Sequence, residues 1–298
     1  MKVALVINPV SGAGREGSRL KELLVRLRSA GIEYVQQTTN GPGCGQLLAH
    51  DAGENADAVI AVGGDGTVRE IAEGLIDSKT PLLIWPRGTE NLVARSLGFR
   101  RDPEHMIQCL RNGTVRPLDM GIANGQSFMV VAGIGFDAEV VDRLVRLRRG
   151  HITHLSYAGP LWRSFWEHRW PELKITAETP DGPTAWATRG MVFVGNMPRY
   201  SLGLQVVRDA VPDDGLLDLV AMRCHGRLAQ IGHSLRTVLR THIEHADVFH
   251  HRVIRLHISS DRPVPVEIDG EYAGQLPLDI AIRPAAIRVK VPPSVRSR

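Results

Sequence analysis

Over its first 120 residues the chain alternates short apolar runs with helical patterns, a rhythm that points to a parallel sheet wrapped by helices. The runs KVALVI, IEYVQQT, ADAVIAV and LLIW read as strands. Between them, helices are expected from about Gly17 to Ala30, near 45–52 and from about Val68 to Ile76. The loops after the first, third and fourth strands read NPVSGAGR, GGDGTVRE and PRGTENLVAR, each carrying glycine and small polar residues. In an open parallel sheet ligands lie outside the carboxyl ends of the strands, so these loops are expected to share one site.

From about Val115 the texture changes. FMVVAGIGF, ELKITAETPDG, MVFVGNM, GLLDLVAM, VIRLHIS and VPVEIDGEYAG are short β-rich segments broken by Gly, Pro and Asp turns, which predicts a second, antiparallel β domain. The last segment, LPLDIAIRPAAIRVKVPP, suits either completion of that domain or a return to the first. At 298 residues the chain can bury two cores without disulfide or metal staples. Cys44, Cys109 and Cys224 are odd in number and form no CxxC pair, which argues against a disulfide framework and fits a reducing cytoplasm. The apolar N-terminal run meets Pro9 at once and so lacks a secretory h-region. No stretch approaches the roughly 18 apolar residues of a membrane span.

Of the 36 cationic side chains 31 are arginine, on a net charge of +4. The guanidinium fork suits phosphate, although a codon bias toward arginine accounts for the excess equally well. Between Arg143 and Trp170 six arginines face one glutamate, and Trp162, Trp166 and Trp170 are spaced to share one side of a helix. Two readings stand. One is an interfacial element with indoles at headgroup level and arginines toward anionic lipid; the other is a core-facing stripe with a solvated basic flank.

Residues 12–17, GAGREG, form a G-x-G-x-x-G pattern. Asn8, Pro9 and Val10 intervene after the strand, however, and Gln37, Thr38 and Thr39 stand where a ribose-gripping acid is needed. No lysine follows a glycine, so no P-loop can be drawn, and the HRD and DFG signatures of protein kinases are missing. GGDGT offers another way to hold phosphate: glycines at a strand-to-helix turn let backbone N–H groups approach an anion at the positive end of the helix. A carboxylate there suits phosphoryl transfer, through an intervening cation or by taking a proton; a plain helix N-cap explains Asp65 equally well. Alone, Asp213-Asp214-Gly215 reads as a turn. His242, His245, His250 and His251 lack metal-ligand spacing and are expected on a solvated helix and strand edge. No helix-turn-helix, RNP or zinc pattern supports a nucleic-acid partner.

Taken together, NPVSGAGR, VGGDGTVREIAEGL, PRGTENLVARSLG, VGNMPRYSLG, VPDDGLLDL and IDGE resemble, in order, the diacylglycerol-kinase-like lipid kinases. This bacterial group includes the YegS and BmrU types and is related to sphingosine kinases. The resemblance implies an α/β plus β fold. A doubly wound nucleotide-binding domain like that of phosphofructokinases and NAD kinases would span 1–120 and 279–298, and a β-sandwich lipid domain 121–278. It implies ATP held by Asn8, Ser11, Gly12, Thr39, Gly63, Gly64, Asp65, Gly66, Thr67 and Thr89. Glu271 would be the general base and Asp65 its catalytic companion at the nucleotide end. Magnesium would be held by the Asp214 carboxylate and the carbonyls of Val211 and Leu216, with Asp119 linked through water. A lipid substrate and a peripheral membrane surface would be its partners, with a homodimer left open and no nucleic acid. Where the family commonly reads GTANDFAR, this chain has GTENLVAR: Leu92 replaces a carboxylate, and Glu90 lies on another side of the helix start. The alternatives are an NAD kinase, which shares GGDGT, and a non-catalytic nucleotide- or lipid-binding protein.

Overall fold

The computed structural model describes residues 1–12, 17–147 and 158–293. Most of the 12–17 glycine pattern and part of the basic stretch after Arg146 thus lie outside the described residues. The chain divides into two units, Met1–Asp119 with the segment from Pro284 onward, and Met120–Arg283.

In the first unit β1 (Lys2–Ile7), β2 (Glu33–Thr38), β3 (Ala58–Gly63) and β4 (Leu82–Pro86) form a parallel sheet in the order β4-β3-β1-β2. Continuous apolar runs become its middle strands: every residue of β3 and β4 is buried, whereas EYVQQT forms the half-exposed edge, β2. The connections are α1 (Gly17–Ser29), α2 (Cys44–Asn55) and α3 (Asp65–Gly74), followed by the short α4 (Leu92–Ser96) and α5 (Pro103–Asn112). Helix α5 starts where Asp102 accepts the His105 N–H at 2.7 Å and Pro103 takes the first helical position. Because β2 lies on one side of β1 and β3 on the other, the strand order reverses at β1, opening a crevice at its carboxyl end.

The chain leaves this unit along β5 (Thr114–Ala123). The second unit holds β6 (Gln126–Phe128), β7 (Val131–Ile134), α6 (Phe136–Leu147), α7 (Ala158–Glu167), β8 (Glu172–Thr179), β9 (Gly182–Gly195), β10 (Leu217–Arg223), α8 (Arg227–Leu239), β11 (Val248–Val253), β12 (Arg255–Ser259), β13 (Pro265–Ile268) and β14 (Glu271–Gln275). β9 belongs to two layers. Up to Arg189 it pairs with β8, and from Gly190 it pairs with β10 and β7. A Cβ on Gly190 would lie 1.9 Å from the Met222 carbonyl oxygen, so only glycine fits this corner. Between the layers lies an apolar core that includes Leu173, Ile175 and Ile258 with Val192, Val194 and Leu219.

The last strand, β15 (Leu278–Val291), serves both units in succession. Its start pairs antiparallel with β12, and Val289 pairs parallel with Leu82 of β4. The terminal segment both completes the β domain and returns to the first.

Candidate active site

Three loops converge at the carboxyl edge of the first unit. Asn8, after β1, donates through Nδ2 to Thr67 Oγ1 at 2.8 Å, tying the first loop to GGDGT across the point where strand order reverses. Its Oδ1 accepts the Val10 N–H at 3.1 Å, and the Ser11 N–H reaches the Asn8 carbonyl at 3.4 Å, folding the loop back on itself. Gly12 completes it with a positive φ of 71°. Thr39 is buried after β2, its N–H bonded to the Ile7 carbonyl at 2.9 Å. The β3 and β4 loops touch backbone to backbone: a Cβ on Gly88 would stand 2.7 Å from the Gly64 Cα, and the Arg87 N–H donates to the Gly63 carbonyl at 2.8 Å. Asn91, in a left-handed conformation, closes the β4 loop by bonding the Gly88 N–H and carbonyl, both at 2.7 Å. Thr89 is exposed beside it, and Gly66 is half-buried in the first turn of α3.

Asp65 is not the N-cap of its own helix. Gly64 is the N-cap of α3, and Asp65 is already helical. Its Oδ1 crosses to α4 and accepts the Val93 N–H at 3.1 Å. Burial pushes its pKa above the ordinary carboxylate value, opposed by the N–H groups of Val93, Leu92 and Asn91; Glu90 adds to the rise. It therefore caps a helix 28 positions downstream rather than its own. Asp119 is similarly engaged, its Oδ1 accepting the Ala285 N–H at 2.7 Å.

In the second unit Glu271 opens β14 directly after a two-residue turn. Asp269 and Gly270 have φ of 50° and 82°, and Ile268 faces Glu271 across the pair, the arrangement an Asp-Gly hairpin favours. The Asp269 carboxylate fixes that turn by accepting the N–H groups of Met129, Val130 and Val131 at 2.9, 2.9 and 3.0 Å. On its other side Glu267 Oε2 accepts the Gly270 N–H at 2.7 Å. Glu267 belongs to a buried group with Tyr200 and Asp137: the tyrosine hydroxyl bonds Asp137 and reaches Glu267 Oε1 at 3.2 Å. Burial pushes Asp137 up to about 6 and raises Glu267 well above the carboxylate range. Glu271 itself stands exposed at the start of its strand.

The 211–216 loop does not fit a magnesium ion as it stands. Asp214 Oδ1 accepts the Leu216 N–H at 3.0 Å and Oδ2 pairs with the Arg252 guanidinium, so a cation already neutralises the carboxylate. Val211 and Leu216 could lend carbonyls, but a carboxylate already paired with a guanidinium has little charge left to offer a hard divalent cation.

Sequence reasoning missed Asp137, Tyr200, Glu267 and Asp269. Asp269 is the Asp of IDGE itself, legible as a turn residue, and Tyr200 and Glu267 also lie inside quoted stretches, but that Asp137, Tyr200 and Glu267 meet is visible only in the fold. His245, His250 and His251 are partly exposed, the last two on the edge strand β11, as expected. His242 departs from that reading, fully buried with its ring against the Val206 carbonyl at 2.7 Å, and His250 reaches the buried Asp218 at 2.6 Å. The tryptophan stripe ends early. Trp162 and Trp166 lie exposed on α7, which excludes the core-facing reading for them, and Trp170 falls beyond its last turn.

An α/β unit whose glycine loops converge at a strand-order reversal, joined to a β-sandwich, is an arrangement suited to a phosphate-handling enzyme. Residues 2–123 match the family model for the diacylglycerol kinase catalytic domain, and residues 130–291 that for the YegS C-terminal NAD kinase beta sandwich-like domain. A diacylglycerol kinase of Staphylococcus carnosus is 27% identical, covering 99% of this chain and 97% of its own length. One from Bacillus subtilis is 27% identical over 93% of this chain and 91% of its own. The crystal structure of a putative diacylglycerol kinase from Bacillus anthracis superposes with a TM-score of 0.81 at 25% identity, covering 99% of this chain and 96% of that one. The chain belongs to the diacylglycerol-kinase-like lipid kinases of the YegS and BmrU type, and it is a lipid kinase.

Proposed function

We propose that this kinase transfers the γ-phosphate of ATP to the hydroxyl of diacylglycerol or a closely related lipid at the cytoplasmic face of a membrane. The observation that carries the reading is the backbone contact of Gly64 with Gly88 beside the Asn8–Thr67 bond. It leaves a side-chain-free cradle, with N–H donors at the start of α3, where a polyphosphate can approach. Glu271 takes the proton of the lipid hydroxyl as that oxygen attacks the γ-phosphorus; the bond to the β–γ bridging oxygen breaks and ADP leaves. Asp65 acts at the nucleotide end by holding α4, and with it the β4 loop, against α3. The proposal carries magnesium as a companion of the nucleotide phosphates rather than as a resident of the Asp214 loop.

Radiolabelled ATP offered with fractionated total lipids tests both activity and acceptor, and a labelled diacylglycerol product is expected. Glu271→Ala should abolish turnover while ATP binding stays nearly intact. Equal loss of both would remove the base assignment. Tight ATP binding without transfer to any lipid fraction, in magnesium, manganese or calcium, would favour the non-catalytic reading that Leu92 raises.

A further inference from the structure

Helix α8 is inside out. On the side turned into its unit it buries Gln230, His233 and Thr237, the His233 ring bonding the Arg223 carbonyl at 2.9 Å and the Thr237 hydroxyl the His233 carbonyl at 2.9 Å. On the opposite side Leu228, Ile231, Leu235, Val238 and Leu239 are 86%, 50%, 58%, 60% and 63% exposed. At about 100° per residue the five apolar side chains fall within an arc of roughly 100°, with the buried polar trio facing the other way. An ordinary surface helix does the reverse, so this stripe is built to be covered.

The stripe continues onto α7. Arg227, at the start of α8, donates to the carbonyls of Phe165 and Trp166 and lies 5.0 Å over the Trp166 ring, joining the end of one helix to the start of the other. Trp162 and Trp166 meet edge to face at 5.7 Å and, with Leu161, are exposed. From below, α7 is held to α6 by His168 Nδ1 to Glu139 at 2.6 Å and by Arg143 to Glu167 at 2.8 Å, which leaves the indole side outward.

Charge identifies the occupant. Helix α8 contains no carboxylate, and Arg227 and Arg236 flank the stripe on either side, with Arg240 at its C-cap and Arg163 on α7. The one acid of α7, Glu167, is shared between Arg143 and Arg163. A second copy of this face would bring like charges together, and a nucleic acid has no hydrocarbon to meet five aliphatic side chains. An anionic bilayer supplies both partners: acyl chains for the stripe, headgroups for indoles and guanidinium groups.

We propose that the joined faces of α7 and α8 form the surface by which this kinase docks on anionic membrane, with α8 lying in the headgroup plane. The partner's chemistry rests on the lipid-kinase reading. The test does not need activity: flotation of the full chain with vesicles of phosphatidylglycerol and phosphatidylcholine in equal parts, against phosphatidylcholine alone, without ATP. The wild type is expected to float with the anionic vesicles and to release at high salt. Ile231→Asp combined with Leu235→Asp should weaken partitioning at least about tenfold while thermal unfolding stays put, because both side chains are exposed. In the wild type, brominated lipid should quench Trp162 and Trp166 fluorescence, and Trp162→Phe with Trp166→Phe should remove that quenching. Failure of kinase assays with vesicle binding intact would sink the proposed reaction and leave the docking surface standing. Wild-type chain that stays off anionic vesicles, or a double variant that binds like the wild type, would overturn the docking surface. So would sedimentation showing a wild-type dimer that the double substitution separates while vesicle binding persists.

Discussion

Asp65 shows how far one residue's role can be read from its neighbours. GGDGT announces a carboxylate among phosphate-cradling glycines, and the sequence allows a local cap or a reacting group. The structure overturns the local cap, because Gly64 caps α3 and the Asp65 side chain reaches Val93 at the start of α4. A contact spanning 28 positions has no signal in local spacing. Asp65→Ala should therefore destabilise the first unit by about 1–2 kcal/mol by orphaning the start of α4, whereas Asp65→Asn retains an acceptor and should lose much less; urea denaturation of the two variants checks this. Asp137 offers a titration test. Its pKa, raised by burial to about 6, means the folded chain holds the proton more tightly than the unfolded one. Its contribution is thus most favourable below the ordinary carboxylate value of 3.8 and is lost as pH rises toward about 6. Asp137→Asn keeps an acceptor for the Tyr200 hydroxyl and removes the titration. Relative to the wild type, the variant should gain stability between pH 4 and 6, read as the difference in urea midpoint across that range.

At the level of elements, the strands of the α/β unit were legible because buried parallel strands are uninterrupted apolar runs. Helix starts were less so: α3 begins at Asp65 rather than near Val68, since Gly66, which looks like loop, already carries helical backbone. Helix α8 escaped notice because its apolar face points away from the core, and periodicity reports a face without saying which way it looks. Trp170 follows the four-residue rhythm of α7 but lies past Glu167, where the helix stops. The converging loops and the Asp-Gly hairpin each make a sharp prediction. Gly88→Ala places a Cβ 2.7 Å from the Gly64 Cα, backbone that cannot swing aside. It should cost about 1–3 kcal/mol and weaken ATP binding as the two loops part, measurable by calorimetry. Asp269→Ala strips the acceptor from three N–H groups and should lower thermal stability by roughly 3 kcal/mol or more, with kcat falling because the turn that carries Glu271 loosens.

For the whole molecule, the informative segment is the one the sequence could not assign. LPLDIAIRPAAIRVKVPP fits two destinations because it has two: residues of β15 up to Ala281 pair with β12, and the strand then supplies Ile287, Val289 and Val291 to the core of the first unit. A period-two pattern records that a strand is half-buried, not which sheet receives it, and here the receiver changes along fourteen residues. The first unit is therefore closed by chain that arrives only after the whole β domain has been traversed. Stability of the first unit must depend on side chains far along the sequence. Val289 is fully buried beside Leu82, and Val289→Ala should cost the first unit about 2 kcal/mol. Trp85 is the single tryptophan of that unit, and the other four lie in the second. Fluorotryptophan labelling with fluorine NMR thus reads the units separately in one urea titration. The Trp85 resonance of the variant should lose its native position at lower urea than in the wild type. A Trp85 midpoint that does not move would mean that the four-stranded sheet stands without the returning strand.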